Sequence, residues 1–100
     1  MVRPRTDLSE ILHRFCKNVY FQPATGTALQ YPCIIYKLDD IEVKRADNVH
    51  YDINSRYFMQ YITRDPDDAT RYELVKLPMC KFDRYFPADN LNHYNYTIYY

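Results

Sequence analysis

The stretch that decides the fold is Arg56-Tyr57-Phe58-Met59-Gln60-Tyr61-Ile62-Thr63, just past the middle of this 100-residue chain. Successive side chains of a β-strand point to opposite faces, so Tyr57, Met59 and Tyr61 share one face, and Phe58 and Ile62 share the other. Both faces are largely apolar or aromatic, which is typical of a strand buried on both sides. We therefore expect residues 56–63 to form a central strand of a β-sheet.

The segment before this strand also alternates, but with charged residues. Apolar side chains alternate with charged ones over residues 41–44 and with polar ones over residues 49–53, on either side of Ala46-Asp47-Asn48. Two ribbon strands around a turn give this pattern, and a long polar loop is an equally good interpretation. In both cases we expect an arm over residues 39–54 that projects from the domain, because its charged half cannot be buried.

A helix and two shorter strands are predicted further upstream. Leu8, Ile11, Leu12 and Phe15 recur at helical spacing and form one apolar stripe. Two acidic residues, Asp7 and Glu10, have the spacing of a capping box, and Asn18 is a candidate end. Three segments complete this part: a short strand at residues 19–21, a loop at residues 23–32, and a β-branched and aromatic run at residues 33–38, expected as a central strand.

Downstream of residue 63, Asp65-Pro66-Asp67-Asp68 ends the strand and offers an N-cap to a short helix over residues 69–77. Pro78 stops that helix. Three segments follow: a strand at residues 79–82, a structured loop at residues 83–92, and a final strand at residues 94–100 with an exposed edge.

The predicted element order is therefore α-β-β-β-α-β-β. We expect an α+β fold: a single small domain over residues 1–100, with a mainly antiparallel sheet and two helices packed on it. No apolar run approaches the roughly twenty residues that span a bilayer, so we expect a soluble protein without a membrane partner.

The composition favours binding to other proteins over binding to nucleic acid. The chain has twelve tyrosines and five phenylalanines, and such rings are enriched in protein–protein interfaces. Thirteen basic and thirteen acidic residues cancel, whereas nucleic-acid binding usually requires a basic excess. Three widely spaced cysteines argue against a disulfide framework and fit a reducing cytosol.

The sequence offers weak grounds for catalysis. A single glycine excludes the glycine-rich phosphate-binding loops. Cys80 and His93, with Asp83 and Asp89 near them, allow a Cys-His-Asp arrangement to be imagined, but a buried structural thiol is the commoner case. The three histidines lie on separate elements without metal-ligand spacing, so we expect neither a metal nor another cofactor, and no enzyme activity.

Other residues have both a structural and a functional interpretation. The acid pairs Asp39-Asp40 and Asp67-Asp68 are typical of turns and caps. Tyr57, Tyr61 and Tyr96 could stack nucleic-acid bases, although core and subunit contacts are the favoured role. Lys44-Arg45 on the arm are either solvated or set register between subunits. The adjacent Asp83-Arg84 form either a charged surface feature between aromatics or an internal ion pair.

Four strings of this sequence resemble one protein family. These are Asn18-Val19-Tyr20-Phe21-Gln22-Pro23, Tyr31-Pro32-Cys33-Ile34-Ile35-Tyr36, the stretch from Lys44 to Asp47, and the stretch from Cys80 to His93. They are similar to the small tail-terminator, or tail-completion, proteins of long-tailed (siphovirus-type) bacteriophages. The resemblance runs from about residue 18 to residue 100. Related neck and head-completion proteins have a similar organisation.

The resemblance implies a virion structural protein without catalytic residues. A hexameric ring would cap the growing tail tube, stop its polymerisation and provide the surface that joins tail to head. The implied partners are further copies of the chain, the tail-tube protein and a neck or head-completion protein, with passive DNA contact in the bore left open. The implied location is the virion tail or neck, after assembly in the host bacterial cytoplasm. The candidate interface residues are Lys44, Arg45, Asp47, Asp83, Arg84, Tyr85, Asp89, Asn90 and Asn92.

Overall fold

A computed structural model describes residues 4–46 and 49–100. Its elements are α1 (Arg5–His13), β1 (Asn18–Phe21), β2 (Cys33–Ala46), β3 (Val49–Thr63), α2 (Thr70–Val75), β4 (Cys80–Ala88) and β5 (Leu91–Tyr99). The predicted fold class and element order are confirmed. Neither helix in these ranges has the length and apolar character that crossing a membrane requires.

The five strands form one sheet in the order β1-β2-β3-β5-β4. β1 pairs with β2 in parallel, and the other neighbours pair antiparallel. β3 is the third of the five, so the central position predicted for residues 56–63 is confirmed. The exposed edge predicted for the final strand is wrong, because β5 lies between β3 and β4. The edge strands are β1 and β4.

The C-terminal region forms a β-hairpin, and the loop predicted over residues 83–92 is wrong. β4 and β5 pair from Cys80↔Ile98 to Ala88↔Leu91 and are joined by Asp89 and Asn90, with φ of 52° and 62°. Positive φ at both central residues defines a type I′ turn, whose twist suits a hairpin and which Asp and Asn tolerate. Pro87 obscured the strand, but proline is tolerated on an edge strand.

Both helices pack on one face of the sheet. Leu8 and Leu12 of α1 and Leu74 of α2 are fully buried. They meet the inward side chains of β2, β3 and β5, which are Ile34, Tyr36, Tyr57, Met59, Tyr61, Tyr94, Tyr96 and Ile98. We call this side the helix face. On the opposite side, the open face, described elements leave residues such as Phe58, Gln60 and Asn95 partly accessible.

The helix ends differ from the predicted caps. α1 begins after Pro4, whose carbonyl accepts the Asp7 N–H, and no side chain caps it, so the Asp7–Glu10 capping box is wrong. The helix ends at His13, and Phe15 packs on the core from outside it. Proline has a fixed φ and no N–H, so it suits the position before the first turn. The helix therefore begins directly after Pro4, upstream of Asp7.

The ribbon interpretation of the arm is confirmed, and the polar-loop interpretation is wrong. β2 and β3 stay paired from Cys33↔Ile62 out to Ala46↔Val49. The pairing of β2 with β1 ends at Tyr36, and that of β3 with β5 ends at Arg56, so the outer half is a two-stranded ribbon. Eight strand residues extend about 26 Å. The molecule accordingly measures 51 × 27 × 23 Å.

The turn geometry predicts opposite effects for two substitutions at Asn90. Asn90→Gly removes the side chain that makes positive φ costly, so the free energy of unfolding should stay unchanged or rise by up to about 1 kcal/mol. Asn90→Val places a β-branched residue in that conformation and should lower it by about 1–2 kcal/mol. Urea denaturation of the three proteins measures both effects. Equal stability of the glycine and valine variants would contradict the type I′ turn.

Candidate interaction surfaces

The arm has one apolar and one charged face. Leu38, Ile41 and Val43 pair with Tyr57, Ser55 and Ile53, so they continue the helix face of the sheet. All three are exposed, because the arm lies beyond the reach of the described helices. The apolar face of the sheet therefore runs on into solvent.

The charged face of the arm is organised by Arg56. Its Nε lies 2.8 Å from Asp39 Oδ2 and its Nη2 lies 3.7 Å from Asp40 Oδ2. The register shifts between Leu38 and Asp40, so both acids meet one arginine at the base of the arm. The predicted turn or cap role is wrong for this acid pair, which lies within β2 at the bulge.

Among the candidate residues on the arm, Lys44 and Arg45 lie near the outer end of β2 and are exposed. Asp47 lies outside the described residues. Both cations are therefore accessible to an acidic surface of a partner.

The structure separates Asp83 from Arg84. The Asp83 carboxylate accepts a hydrogen bond from the Thr97 hydroxyl, and the Arg84 guanidinium lies 5.1 Å from the centre of the Phe86 ring. A register shift between Phe82 and Arg84 accommodates this arrangement. The ion pair considered between these neighbours is not found among the described contacts, and each binds a different partner.

Tyr85 and Asn92 bind each other across the hairpin. The Tyr85 hydroxyl donates to Asn92 Oδ1 at 2.8 Å, and Asn92 Nδ2 donates to the Thr63 carbonyl at 3.3 Å. Asp89 and Asn90 are exposed in the turn. The hydrogen bonds of Asn92 therefore go to its own chain, while the Tyr85 ring remains exposed.

A groove of about 460 Å³ opens on the helix face between α2 and β4. Tyr94 and Tyr96 lie in it next to two partly exposed rings of β4, Phe82 and Tyr85. Its volume falls within the usual range of small-molecule pockets. The other lining residues are Pro66, Arg71, Tyr72 and Val75. We call this set the aromatic groove.

Two residues of the aromatic groove were candidates from the sequence: Tyr85 for an interface and Tyr96, less favoured, for base stacking. A detectable signal was the spacing of Tyr72 and Val75, which places two apolar side chains away from the buried Leu74 on a short helix. A helix that buries only one face does not need these two additional apolar side chains, so they indicate a second contact surface.

Arg71 is the cation of the aromatic groove. Its Nη1 donates to the Pro66 carbonyl and, at 3.0 Å, to the Tyr94 hydroxyl. Its guanidinium carbon lies 4.7 Å from the centre of the Tyr72 ring. Its Nε is buried and has no acceptor among the described residues. The hydrogen bonding of Arg71 is thus incomplete within the described chain.

Buried tyrosines fix α2 on the sheet. The Tyr96 hydroxyl donates to the Arg71 carbonyl at 2.6 Å, and the Tyr61 hydroxyl donates to the Asp68 carboxylate. Asp68 also accepts the Thr70 N–H at 2.9 Å, which fits the turn role predicted for an acid of this pair. The N-cap position of α2 is Ala69, and no side chain caps it, so the N-cap predicted within residues 65–68 is wrong. Burial raises the pKa of Asp68, but the hydrogen bonds from Tyr61 and Thr70 outweigh it and leave that pKa below its ordinary value.

The imagined cysteine nucleophile is not assembled. Cys80 pairs with Ile98, five positions along β5 from His93, which corresponds to about 17 Å along the strand. The two side chains also point to opposite faces, because five is an odd number of positions. Burial, with the charge of Asp83, raises the pKa of the Cys80 thiol to about 11 and disfavours the thiolate.

The core role favoured for Tyr57, Tyr61 and Tyr96 is confirmed, and the alternative base-stacking role is wrong. Tyr57, Tyr61 and Tyr96 are buried beneath the helices, so their faces are closed to a ligand. Aromatic and basic residues meet instead on the open face. Phe86 stacks on His93 at a centroid distance of 4.7 Å, and Lys37 Nζ lies 5.6 Å from the centre of the Phe58 ring.

Within the described ranges, no three histidine, cysteine, aspartate or glutamate side chains cluster closely enough to hold a metal ion. Comparison with protein families, with characterised proteins and with solved structures found no match to this chain. The surfaces themselves are therefore the basis for a functional proposal.

The contacts of Asp68 predict a stability loss that depends on pH. Asp68→Asn replaces a charged acceptor of the buried Tyr61 hydroxyl, so the free energy of unfolding at pH 7 should fall by about 1–2 kcal/mol. Because the folded pKa is lowered, the carboxylate stabilises the fold above its unfolded pKa of about 3.9. That contribution is lost as the pH falls through the folded pKa.

Urea denaturation of both proteins between pH 7 and pH 3 measures this difference. The gap should stay constant above pH ~5 and shrink below pH ~4. Asp67→Asn is the matched control, since Asp67 is exposed, and it should stay within about 0.5 kcal/mol of the natural chain. A gap that widens in acid would refute the assigned role of Asp68.

Proposed function

We propose that this chain is a virion structural protein of the tail-terminator class. Copies form a ring on the last ring of a tail tube, stop its growth and offer their other surface to the neck of the head. The resemblance at residues 18–100 suggests the class, and the α-β-β-β-α-β-β order agrees with what that resemblance implies. A related neck or head-completion role would use the same surfaces.

The observation that carries this proposal is the projecting arm. An isolated two-stranded ribbon is marginally stable in water, and this one also exposes Leu38, Ile41 and Val43. A ribbon extending about 26 Å from the sheet can reach a neighbouring subunit, and burial there would remove its apolar face from water. Such an arm is expected in a subunit that functions by assembling with other subunits.

A terminator also needs two unlike surfaces. A tube grows because each ring presents a face that fits the next, which is a heterologous contact that does not close along the axis. A terminator must bind that face and present a different one outward. The arm and the β4–β5 hairpin provide unlike surfaces of this kind, with Lys44, Arg45, Asp83 and Arg84 as the charges that set register.

Polymerisation of the tail-tube protein from the same genome tests the proposal. Added chain should shorten the tubes, and electron microscopy should show an extra ring at one end only. Lys44→Glu with Arg45→Glu should slow capping at low salt, because interface charges act mainly on the association rate. The difference should shrink as salt rises.

Arg14→Glu with Lys17→Glu is the matched control, because it makes the same charge change at exposed residues beside α1. It should cap tubes as the natural chain does. Tubes of unchanged length, or binding along the sides of tubes, would refute the terminator role. Binding to a completed neck without any effect on tube length would assign the chain to head completion instead.

The open face favours a second candidate function, binding of single-stranded nucleic acid. Phe58 beside Lys37, and Phe86 beside Arg84, offer rings and cations at a partly accessible surface. Such platforms bind bases by stacking and phosphates by charge. The zero net charge of the chain makes this the weaker candidate.

Titration of a fluorescent single-stranded oligonucleotide tests this candidate. Affinity should fall with salt, with a logarithmic slope of about −0.7 for each phosphate contact. Lys37→Ala with Arg84→Ala should abolish binding, whereas Arg14→Ala with Lys17→Ala should leave it. No measurable binding of the natural chain at low salt would exclude this function.

A further inference from the structure

The exposed apolar residues of this chain separate into two groups. Among the described residues, eight large apolar side chains are exposed. Leu38, Ile41 and Val43 lie on the arm. The others lie along α2, β4 and the connection between them: Tyr72, Val75, Met79, Phe82 and Tyr85. Two such patches on one small subunit indicate protein contacts rather than scattered surface residues.

The two patches have complementary shapes. The arm is a convex ribbon whose apolar side chains project from one face. The aromatic groove is concave, and four of the five residues of the second group line it. Aliphatic side chains on a projecting ribbon can fill a groove walled by aromatic rings, which is the complementarity that interface cores show.

The two patches also carry opposite charge at their margins. Lys44 and Arg45 are exposed near the outer end of the arm. Asp65 and Asp67 are exposed on either side of Pro66, which lines the aromatic groove. Opposite charges at the margin of an interface orient the partners and speed their association.

We propose that the arm of one copy binds in the aromatic groove of the next copy. This inference rests on the ring of the proposed function and names the contact that builds it. Leu38, Ile41 and Val43 enter the groove, and Lys44 and Arg45 approach the aspartates beside Pro66. Because the two patches differ, the contact is heterologous, and each subunit uses one arm and one groove.

Two variants, each with one of the two contact surfaces disrupted, distinguish this arrangement from its alternatives. The arm variant carries Ile41→Glu and Val43→Glu, which places charge on the apolar face and near the aspartates. The groove variant carries Tyr72→Glu and Val75→Glu on the exposed side of α2, where glutamate is a good helix former. The matched control carries Thr6→Glu and His13→Glu, the same added charge at exposed positions of α1. Circular dichroism establishes that each variant is folded.

Analytical ultracentrifugation up to about 1 mM protein then measures mass. The natural chain and the control should form species larger than a dimer. The arm variant alone and the groove variant alone should each remain at the 12.2 kDa of one chain. An equimolar mixture should double that mass and go no further, because one intact arm meets one intact groove and no second contact remains.

Other outcomes overturn the contact. A folded mixture that stays monomeric, or association by the arm variant alone, would exclude the arm as the bound element. Association by the groove variant alone would indicate that arms bind arms. A heterodimer without any capping of tail tubes would retain the contact and refute the terminator function. Capped tubes without the heterodimer would refute the contact between arm and groove and retain the terminator function.

Discussion

The structure depends on a mismatch of length between its helices and its strands. α1 has nine residues and α2 six, about 14 and 9 Å of helix, whereas β2 and β3 have 14 and 15 residues, close to 50 Å of strand. Two such helices cannot cover the whole of one face. The apolar arm extends past them along β2 and β3, and the aromatic groove opens where α2 leaves Phe82 and Tyr85 of β4 exposed, so both surfaces follow from one packing constraint.

Tyrosine allows a core this small to hold short helices in place. Tyr61 and Tyr96 bury their rings and still donate hydrogen bonds, to Asp68 and to the Arg71 carbonyl. Tyr36 is also buried, under α1, and its hydroxyl accepts a hydrogen bond from Arg5 at 3.1 Å. Burial raises the pKa of Tyr61 and of Tyr96, so both hydroxyls remain donors at every physiological pH. The helices are thereby oriented as well as packed.

The sequence could predict the fold in the segments whose apolar residues follow a single clear periodicity. Alternation along residues 56–63 gave a central strand and its inward face, and alternation on the arm gave the ribbon as one of two interpretations. It failed at the last hairpin, where Pro87 obscured β4 and the turn used Asp-Asn without glycine. It also failed for the site: Arg71, Tyr72 and Phe82 lie on two elements, and only the packing of α2 beside β4 brings them together.

Two unlike patches have a consequence for how copies can combine. A self-complementary patch closes after two copies, whereas an arm and a groove on the same subunit leave one of each free at the ends of any open chain. Such a row of copies either closes into a ring or continues to add copies. With no net charge to keep copies apart, closure depends on the angle between arm and groove. That angle is fixed by the rigid β2–β3 pairing at the base of the arm, where Arg56 binds Asp39, and by the tyrosine contacts that hold α2. In the proposed ring, the residues that stabilise the monomer therefore also set the angle at which copies meet.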